Sequence, residues 1–175
     1  MARDIILNLA ISLDGFICDE DGGFAWISGQ GDVRADTADH FDFDGFLASC
    51  DTIVMGRKAY EDCLSSLPEA AEKRFLVASR TPRAPEGRVV FLSADVVAEV
   101  LALKDRPIWL FGGGELASDF IRADAVDRYI VGILPVIRGK GRRLFQEGIP
   151  PVELHLDRCT VSDGIPILEY SRRGR

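Results

Sequence analysis

Short apolar runs alternate with segments of helical hydrophobic spacing along roughly the first 125 residues of the chain. The runs are nearly continuous in apolar residues, which is typical of strands buried on both faces. Alternation of strands and helices predicts an α/β domain with a mostly parallel sheet and helices on both of its faces. The predicted strands are residues 4–12, 51–56, 74–79, 88–92 and 107–111, and the predicted helices are 37–50, 57–67, 94–104 and 115–123.

The last third of the chain is richer in strands. Alternation of apolar and polar residues predicts that Val152, Leu154 and Leu156 point inward from one strand. Asp163 and Gly164 then form a dipeptide typical of a tight hairpin turn. We therefore expect the sheet to end in an antiparallel hairpin at one edge. The predicted strands of this part are residues 126–137, 152–162 and 165–173.

Size and charge exclude several classes of protein. The chain has 175 residues, of which 47% are hydrophobic and 28% charged, so we expect a single domain spanning residues 1–175. The formal net charge of −7 argues against a nucleic-acid partner, which requires a basic face. The apolar stretch near the N-terminus ends at Asp14 and is too short for a membrane span. It also lacks the repeated positive charge of a signal peptide, so we expect a cytoplasmic protein without a membrane partner.

Cysteine and histidine spacing predicts no metal site. The four cysteines (Cys18, Cys50, Cys63 and Cys159) form no C-x-x-C pair. The two histidines, His40 and His155, are far apart in sequence. Four reduced structural cysteines are the expectation.

A long loop is predicted between the first strand and the first helix. Residues 19–32 are rich in Gly and Asp, and loops of this length are often functional. Trp26 in this loop is either a residue of the substrate site or an anchor for the loop itself. Thr37 or Asp36 is the expected N-cap of the helix that follows.

Three strand-to-helix junctions carry residues suited to an anionic ligand. Ligands of open α/β sheets bind beyond the carboxyl ends of the strands. Cations are disfavoured in a first helical turn, so Arg57 and Lys58 indicate either a bound phosphate or solvated surface charges. The junction residues are Gly56, Arg57 and Lys58 at the first, Ser79 and Arg80 at the second, and Gly112, Gly113 and Gly114 at the third.

The glycine run matches neither of the common phosphate-binding motifs. Glu115, Leu116 and Ala117 follow it, which gives neither G-x-G-x-x-G nor the G-K-[ST] of a Walker loop. Glycine is costly unless a turn or a close backbone approach requires it. The run is therefore either a tight turn or a place where a ligand comes close to the backbone.

Taken together, these segments resemble the dihydrofolate reductase-like superfamily. The chain is most similar to the branch related to the C-terminal reductase domain of the riboflavin-pathway bifunctional deaminase-reductase. The resemblance covers nearly the whole chain and implies a mixed, mostly parallel eight-stranded sheet with flanking helices and an antiparallel C-terminal hairpin. The matching stretches are "AISLDGFI" (10–17), "TIVMGRKAYE" (52–61), "VASR" (77–80), "IWLFGGGELAS" (108–118), "VDRYIVGILPVIRGKGRRLF" (126–145) and the final hairpin.

The resemblance implies NADPH as the cofactor. The first two junctions would hold the phosphates of its adenosine half, and the glycine run would approach the pyrophosphate and nicotinamide through a cis peptide between Gly112 and Gly113. The first strand and its loop would cover the nicotinamide. The implied cofactor residues are Ala10, Gly15, Ile17, Gly56, Arg57, Lys58, Ser79, Arg80, Gly112, Gly113, Gly114, Glu115 and Leu116.

Three positions depart from the family pattern. Ala59 stands where a Thr is common, and Phe111 where the riboflavin-pathway reductases carry a Glu just before their glycines. Asp39 lies near the position at which dihydrofolate reductases place a carboxylate for the pterin, but it belongs to an acidic segment that also suits a solvated face.

The expected reaction is hydride transfer from NADPH to a C=O or C=N of a small polar, pyrimidine- or pterin-like substrate, similar to that of the 5-amino-6-(5-phosphoribosylamino)uracil reductase. The alternatives are dihydrofolate reductase proper and a non-catalytic NADP-binding domain. Asp39, His40 and ordered water are candidate proton donors, and Trp26 is a further candidate of the catalytic site. We also expect a homodimer, since an antiparallel edge strand would otherwise leave its backbone groups unpaired.

Overall fold

An eight-stranded sheet organises the structure, which is a computed structural model that describes residues 4–63, 72–104 and 107–174. The strand order is β5-β4-β3-β6-β1-β7-β10-β9, and β2 pairs with β8 outside the main sheet. The strands are β1 (Ile5–Ser12), β2 (Phe16–Cys18), β3 (Thr52–Gly56), β4 (Arg74–Ala78), β5 (Val89–Leu92), β6 (Ile108–Gly112), β7 (Arg128–Leu134), β8 (Arg142–Arg143), β9 (Leu154–Ser162) and β10 (Ile165–Arg172). The helices are α1 (Phe43–Ser49), α2 (Arg57–Cys63), α3 (Val96–Leu101) and α4 (Gly114–Arg122).

The sheet confirms the predicted fold class. Strands β5, β4, β3, β6, β1 and β7 run parallel, whereas β10 is antiparallel to both β7 and β9. Asp163 and Gly164 both adopt positive φ in the turn between β9 and β10, as a two-residue hairpin of this sequence requires. This is the mixed sheet with an antiparallel C-terminal hairpin that the sequence predicts.

Both faces of the central strands are buried, which explains their continuous apolar runs. Ile5 and Leu7 point to one side of β1, where Phe120 of α4 and Val100 of α3 pack. Ile6 points to the opposite side, where α1 contributes further apolar side chains. Period-two alternation is therefore hidden in β1, because neither face meets water.

The first helix begins later than predicted. The helix starts at Phe43, and its N-cap is Asp42, whose carboxylate accepts a hydrogen bond from the Gly45 amide at 2.9 Å. The expected cap Thr37 is instead tied to β9, where its hydroxyl accepts from the Val161 amide at 3.0 Å. The residues before Phe43 therefore cover part of the sheet edge instead of extending the helix.

Other differences concern element ends and one exposed side chain. Strands β2 and β8 were not predicted, because segments of two and three residues carry no readable period. The predicted end of the second helix, residues 64–67, lies outside the described residues. Leu156 was expected to point into the core but is 49% exposed, because β9 is the edge strand and has a neighbouring strand on one side only.

Candidate cofactor and substrate cleft

A cleft of about 2110 Å³ opens where the carboxyl ends of the central parallel strands meet. Gly56 ends β3, Ala78 ends β4 in register with it, and Gly113 follows β6, so all three line the same cleft. Ala10, near the end of β1, lines it as well. Parallel pairing brings junctions that are far apart in sequence to one edge of the sheet, which is where open α/β sheets bind ligands.

Most of the residues that we predicted from the sequence to bind the cofactor line this cleft. Gly15 and Gly112 do not line it, although each adjoins segments that do. Gly15 has a φ of +90°, and its carbonyl accepts a hydrogen bond from the Leu144 amide at 3.1 Å, so it shapes the turn after β1. The nominated residues that line the cleft are Ala10, Ile17, Gly56, Arg57, Lys58, Ser79, Arg80, Gly113, Gly114, Glu115 and Leu116.

Two of the cations in the cleft are held by carboxylates. Arg80 pairs with Glu115 at 3.3 Å across the gap between the second and third junctions. Arg57 pairs with Glu61 one turn further along α2 at 3.5 Å. The Arg80 side chain is 94% exposed and that of Arg57 is 47% exposed. Exposed pairs of this kind are weak, so both guanidinium groups are available to an anion that enters the cleft.

The buried hydroxyl of Ser79 organises the second junction. Ser79 Oγ donates to the carbonyl of Thr81 at 2.8 Å, and the Ser79 amide donates to the carbonyl of Leu92 at 2.8 Å. These bonds tie the loop after β4 to the end of β5. Ser79 therefore positions the backbone that carries Arg80.

Glycine suits each of the three positions of the run for a different structural reason. Gly112 adopts a φ of +106°, which favours glycine. A Cβ on Gly113 would meet no atom within 4 Å, so this residue leaves open space beside the backbone. A Cβ on Gly114 would overlap the carbonyl oxygen of Arg143 and lie 3.2 Å from that of Leu144. The run therefore combines a turn, an open cradle and a close backbone approach.

The expected cis peptide between Gly112 and Gly113 is wrong, because the bond is trans in the structure. The backbone turns at this point through the positive φ of Gly112. A left-handed glycine supplies the turn without isomerisation of the peptide bond.

The cleft has a second part, walled by aromatic rings on the α1 side of the sheet. Trp109 packs against Phe43 with ring centroids 5.8 Å apart and against Phe111 at 5.2 Å. The indole Nε1 donates to the backbone carbonyl of Asn8 at 2.8 Å, which fixes the ring. We call this part the aromatic half, and the residues that define it are Asn8, Phe41, Phe43, Trp109, Phe111 and Ile167.

Asn8 belongs to the site although sequence reasoning did not nominate it. The residue is 8% exposed, and its Nδ2 has no hydrogen-bond partner in the structure. Leaving such a donor unpaired costs about 1–3 kcal/mol. The sequence feature that could have pointed to Asn8 is that it is the single asparagine of the chain and lies in the middle of an apolar strand.

The three catalytic candidates lie outside the lining of the cleft. Asp39 is exposed and pairs with Arg158 at 2.6 Å, and this contact raises the pKa of the guanidinium. His40 is also exposed, and its carbonyl accepts a hydrogen bond from the same arginine at 3.1 Å. The guanidinium carbon of Arg138 lies 5.3 Å from the centroid of the Trp26 ring, and this contact suits a residue that anchors the 19–32 loop.

Two cysteines in the cleft are poorly suited to act as nucleophiles. Burial raises the pKa of Cys18, and burial with nearby negative charge raises that of Cys63 to about 11. Both thiols are therefore protonated near neutral pH, whereas the thiolate is the reactive form. Among the described residues, no group of three or more His, Cys, Asp or Glu side chains is arranged to hold a metal.

The sheet order and the cleft define the class: this is an open α/β domain with the dihydrofolate reductase-like fold. The sequence model of the RibD C-terminal domain matches residues 3–164. The chain therefore belongs to the RibD C-terminal domain family, which confirms the resemblance seen in its motifs. In the part of the chain that the structure describes, no helix is long and apolar enough to cross a membrane.

Three similar proteins place the chain within this family and fold. The uncharacterized protein YwjB of Bacillus subtilis is 32% identical over 165 residues, which is 89% of this chain and 90% of YwjB. A Thermotoga maritima diaminohydroxyphosphoribosylaminopyrimidine deaminase/5-amino-6-(5-phosphoribosylamino)uracil reductase has a TM-score of 0.67 and 18% identity, and the match covers 98% of this chain and 57% of that one. Dihydrofolate reductase from Enterococcus faecalis, complexed with NADP(H) and RAB-propyl, has a TM-score of 0.69 and 15% identity over 99% of both chains. The two structures show a shared fold.

Proposed function

We propose that the protein is an NADPH-dependent reductase that transfers hydride to a C=O or C=N of a small polar, pyrimidine- or pterin-like substrate. One observation carries this proposal: cations and an open glycine backbone meet at one part of the cleft, and the aromatic half adjoins them. Membership of a family of reductase domains supports the reaction class. The complex named for the enterococcal structural neighbour supports the choice of cofactor.

The residues present fit a dinucleotide. Gly113 leaves room for close approach to the backbone, and the first turn of α4 offers unpaired amides to an anion. Arg57, Lys58 and Arg80 supply positive charge at the neighbouring junctions of a chain that is acidic overall. We propose that these residues hold the phosphates, and that Ala10 and Ile17 cover the nicotinamide.

Bound NADPH would supply the hydride, and the chain's own task is to bind and orient the reactants. The rings of the aromatic half exclude water from one side of the substrate. Because Asp39 and His40 lie outside the cleft, we propose ordered water as the proton source. We also propose a cytoplasmic homodimer as the working form, and the four free cysteines suit a reducing compartment.

Dihydrofolate reductase proper is the second candidate, and the fold alone favours it. The position of Asp39 argues against it, because Arg158 holds that carboxylate away from the cleft. A non-catalytic NADP-binding domain is the third candidate.

One pair of measurements separates the three. NADPH binding is followed by quenching of tryptophan fluorescence, and NADPH oxidation is followed with dihydrofolate and, separately, with the riboflavin-pathway ribosylaminopyrimidine. Turnover of the pyrimidine supports the proposal, and turnover of dihydrofolate supports the second candidate. Tight binding without turnover of either substrate supports the third, whereas absence of NADPH binding would overturn the cofactor assignment.

A further inference from the structure

Asn8 is an unusual residue for its position. It lies in β1, which is flanked by β6 and β7 at the centre of the sheet, between apolar neighbours on both sides of it in sequence. The residue is 8% exposed and lines the cleft, yet its Nδ2 has no hydrogen-bond partner. Buried polar groups are normally hydrogen-bonded, and an exception in a cleft indicates a missing ligand.

The side chains around Asn8 restrict what that ligand can be. Trp109 and Phe111 present aromatic rings, which suit a flat heterocycle. The residues that define the aromatic half include no carboxylate, and the acidic residues elsewhere in the described lining belong to α2, to α4 and to the segments before α3 and after β8. A protonated ring would therefore find no countercharge among the described residues that line this half of the cleft.

The amide of Asn8 offers a different pairing. A carboxamide carries one donor group and one acceptor, and a half-turn of its terminal torsion exchanges the two. It can therefore pair in two points with a lactam edge, which has one N–H and one C=O. A carboxylate, which only accepts, pairs instead with the two donors of a protonated aminopyrimidine edge.

We propose that Asn8 is the substrate-orienting residue of this site and that it selects a neutral, lactam-bearing heterocycle over a protonated one. This inference rests on the proposed function, because the aromatic half is taken to be the substrate part of the reductase cleft. The bound ring gives Nδ2 the partner that it lacks in the structure, and the indole of Trp109, held by the Asn8 carbonyl, fixes the plane in which the ring lies.

Two matched ligands and three variants test the proposal. Pteridine-2,4-dione carries lactam edges, whereas 2,4-diaminopteridine has the same ring system and protonates readily. Binding of each is followed by pteridine fluorescence in the presence of NADP⁺, with wild type, Asn8→Leu and Asn8→Asp. Thr160→Val is the matched control, because Thr160 also has a buried and unpartnered side-chain oxygen but does not line the cleft.

We expect wild type to prefer the dione. Asn8→Leu should weaken dione binding about tenfold or more, since the ring loses its partner. Asn8→Asp should reverse the preference in favour of the diamine, and Thr160→Val should leave both affinities unchanged. Thermal unfolding of each variant reports folding, and Asn8→Ser replaces Asn8→Leu if the latter does not fold.

A wild-type preference for the diamine, binding of neither pteridine, or an unchanged preference in Asn8→Asp would each overturn the role of Asn8. NADP⁺ binding is measured separately by tryptophan fluorescence on the same samples. If wild type does not bind NADP⁺, the result counts against the proposed function. The role of Asn8 is then decided by measuring dione binding to wild type and the Asn8 variants without NADP⁺.

Discussion

Asp14 shows how one side chain organises the loop that follows β1. Its carboxylate accepts hydrogen bonds from Ser12 Oγ at 2.7 Å, from the Arg138 amide at 3.1 Å and from the Gly139 amide at 2.8 Å. These donors, first among them the Ser12 hydroxyl, lower the pKa of Asp14 to about 2. The residue thereby joins the turn after β1 to the segment before β8, whose last residue, Gly141, lines the cleft.

The pKa of Asp14 predicts a defined pH dependence. A carboxyl whose pKa is lower in the folded state than its unfolded value of about 3.9 stabilises the fold above that value. The contribution is lost as pH falls towards the folded pKa of about 2. The difference in Tm between wild type and Asp14→Asn should therefore be full above about pH 4 and should shrink between pH 4 and pH 2.

An exposed acid provides the comparison for Asp14. Glu86→Gln removes the same charge at an exposed position, so its Tm difference from wild type measures the effect of the charge change alone. A wild-type advantage over Asp14→Asn that persists undiminished at pH 2 would show that the carboxylate is not the stabilising form.

We predict that Arg57 and Arg80 hold the 2′-phosphate and so make the site prefer NADPH to NADH. Arg57→Ala combined with Arg80→Ala should lower NADPH affinity while the weak NADH affinity stays nearly level, because only NADPH carries the 2′-phosphate. A charge-assisted hydrogen bond contributes about 1.5–3 kcal/mol, so each arginine should account for about ten- to hundredfold in affinity. Titration of tryptophan fluorescence with both cofactors measures the effect.

A charge-matched control exists for the double variant. Arg34 and Arg88 are exposed, pair with acidic neighbours and do not line the cleft, so Arg34→Ala combined with Arg88→Ala should leave both affinities unchanged. Equal losses of NADPH and NADH affinity in the Arg57 and Arg80 variant would assign these arginines to the pyrophosphate or to the fold.

At the scale of elements, the start of α4 and the end of β8 fit closely together. The Gly114 carbonyl accepts from Ser118 Oγ at 2.7 Å, and the backbone of Arg143 and Leu144 lies against the Gly114 Cα. The helix N-terminus is therefore held in place by a segment about 30 residues further along the chain. This contact positions the amides that we assign to the cofactor.

Gly114→Ala should destabilise the protein, because the new Cβ would overlap a backbone carbonyl that cannot move aside easily. We expect a loss of about 1–3 kcal/mol or more, which urea unfolding measures. Gly56→Ala is the control, because a Cβ there has its nearest neighbour at 3.9 Å. If both variants unfold at the same urea concentration, the close approach at Gly114 is not present in solution.

At the scale of the whole molecule, the sheet has an edge at β9 that is covered only in part. The Thr37 segment hydrogen-bonds to Val161 near the end of this strand. Earlier in the strand His155, Leu156 and Asp157 are exposed. Exposed edges of this kind are available for pairing with another chain.

We therefore predict that the protein is a homodimer through this edge. Leu156→Lys should give monomers, because an edge lysine opposes strand pairing. Light scattering at micromolar concentration measures the mass, and Arg34→Ala is a surface control that should stay dimeric. A wild-type mass near the 19.2 kDa of one chain would contradict the prediction.

The strands of the main sheet, the hairpin turn and the three junctions could all be predicted from local sequence patterns. Hydrophobic period and turn chemistry are local properties, so the run that became β1 and the Asp163-Gly164 turn could be recognised without knowledge of the fold. The carboxyl ends of parallel strands necessarily meet at one edge, which is why Gly56 and Arg80 could be nominated together.

Which polar groups face the cleft depends instead on contacts between residues that are far apart in sequence. Arg158 is 119 residues from Asp39 in sequence, and the hydrogen bond between them holds that carboxylate outside the cleft. Gly114 is required by a backbone far along the chain, and Asn8 is left without a partner at the centre of the sheet. These outcomes depend on long-range packing. A local sequence pattern does not show which distant residue will be the hydrogen-bond partner of a polar group, or whether the group will have a partner at all.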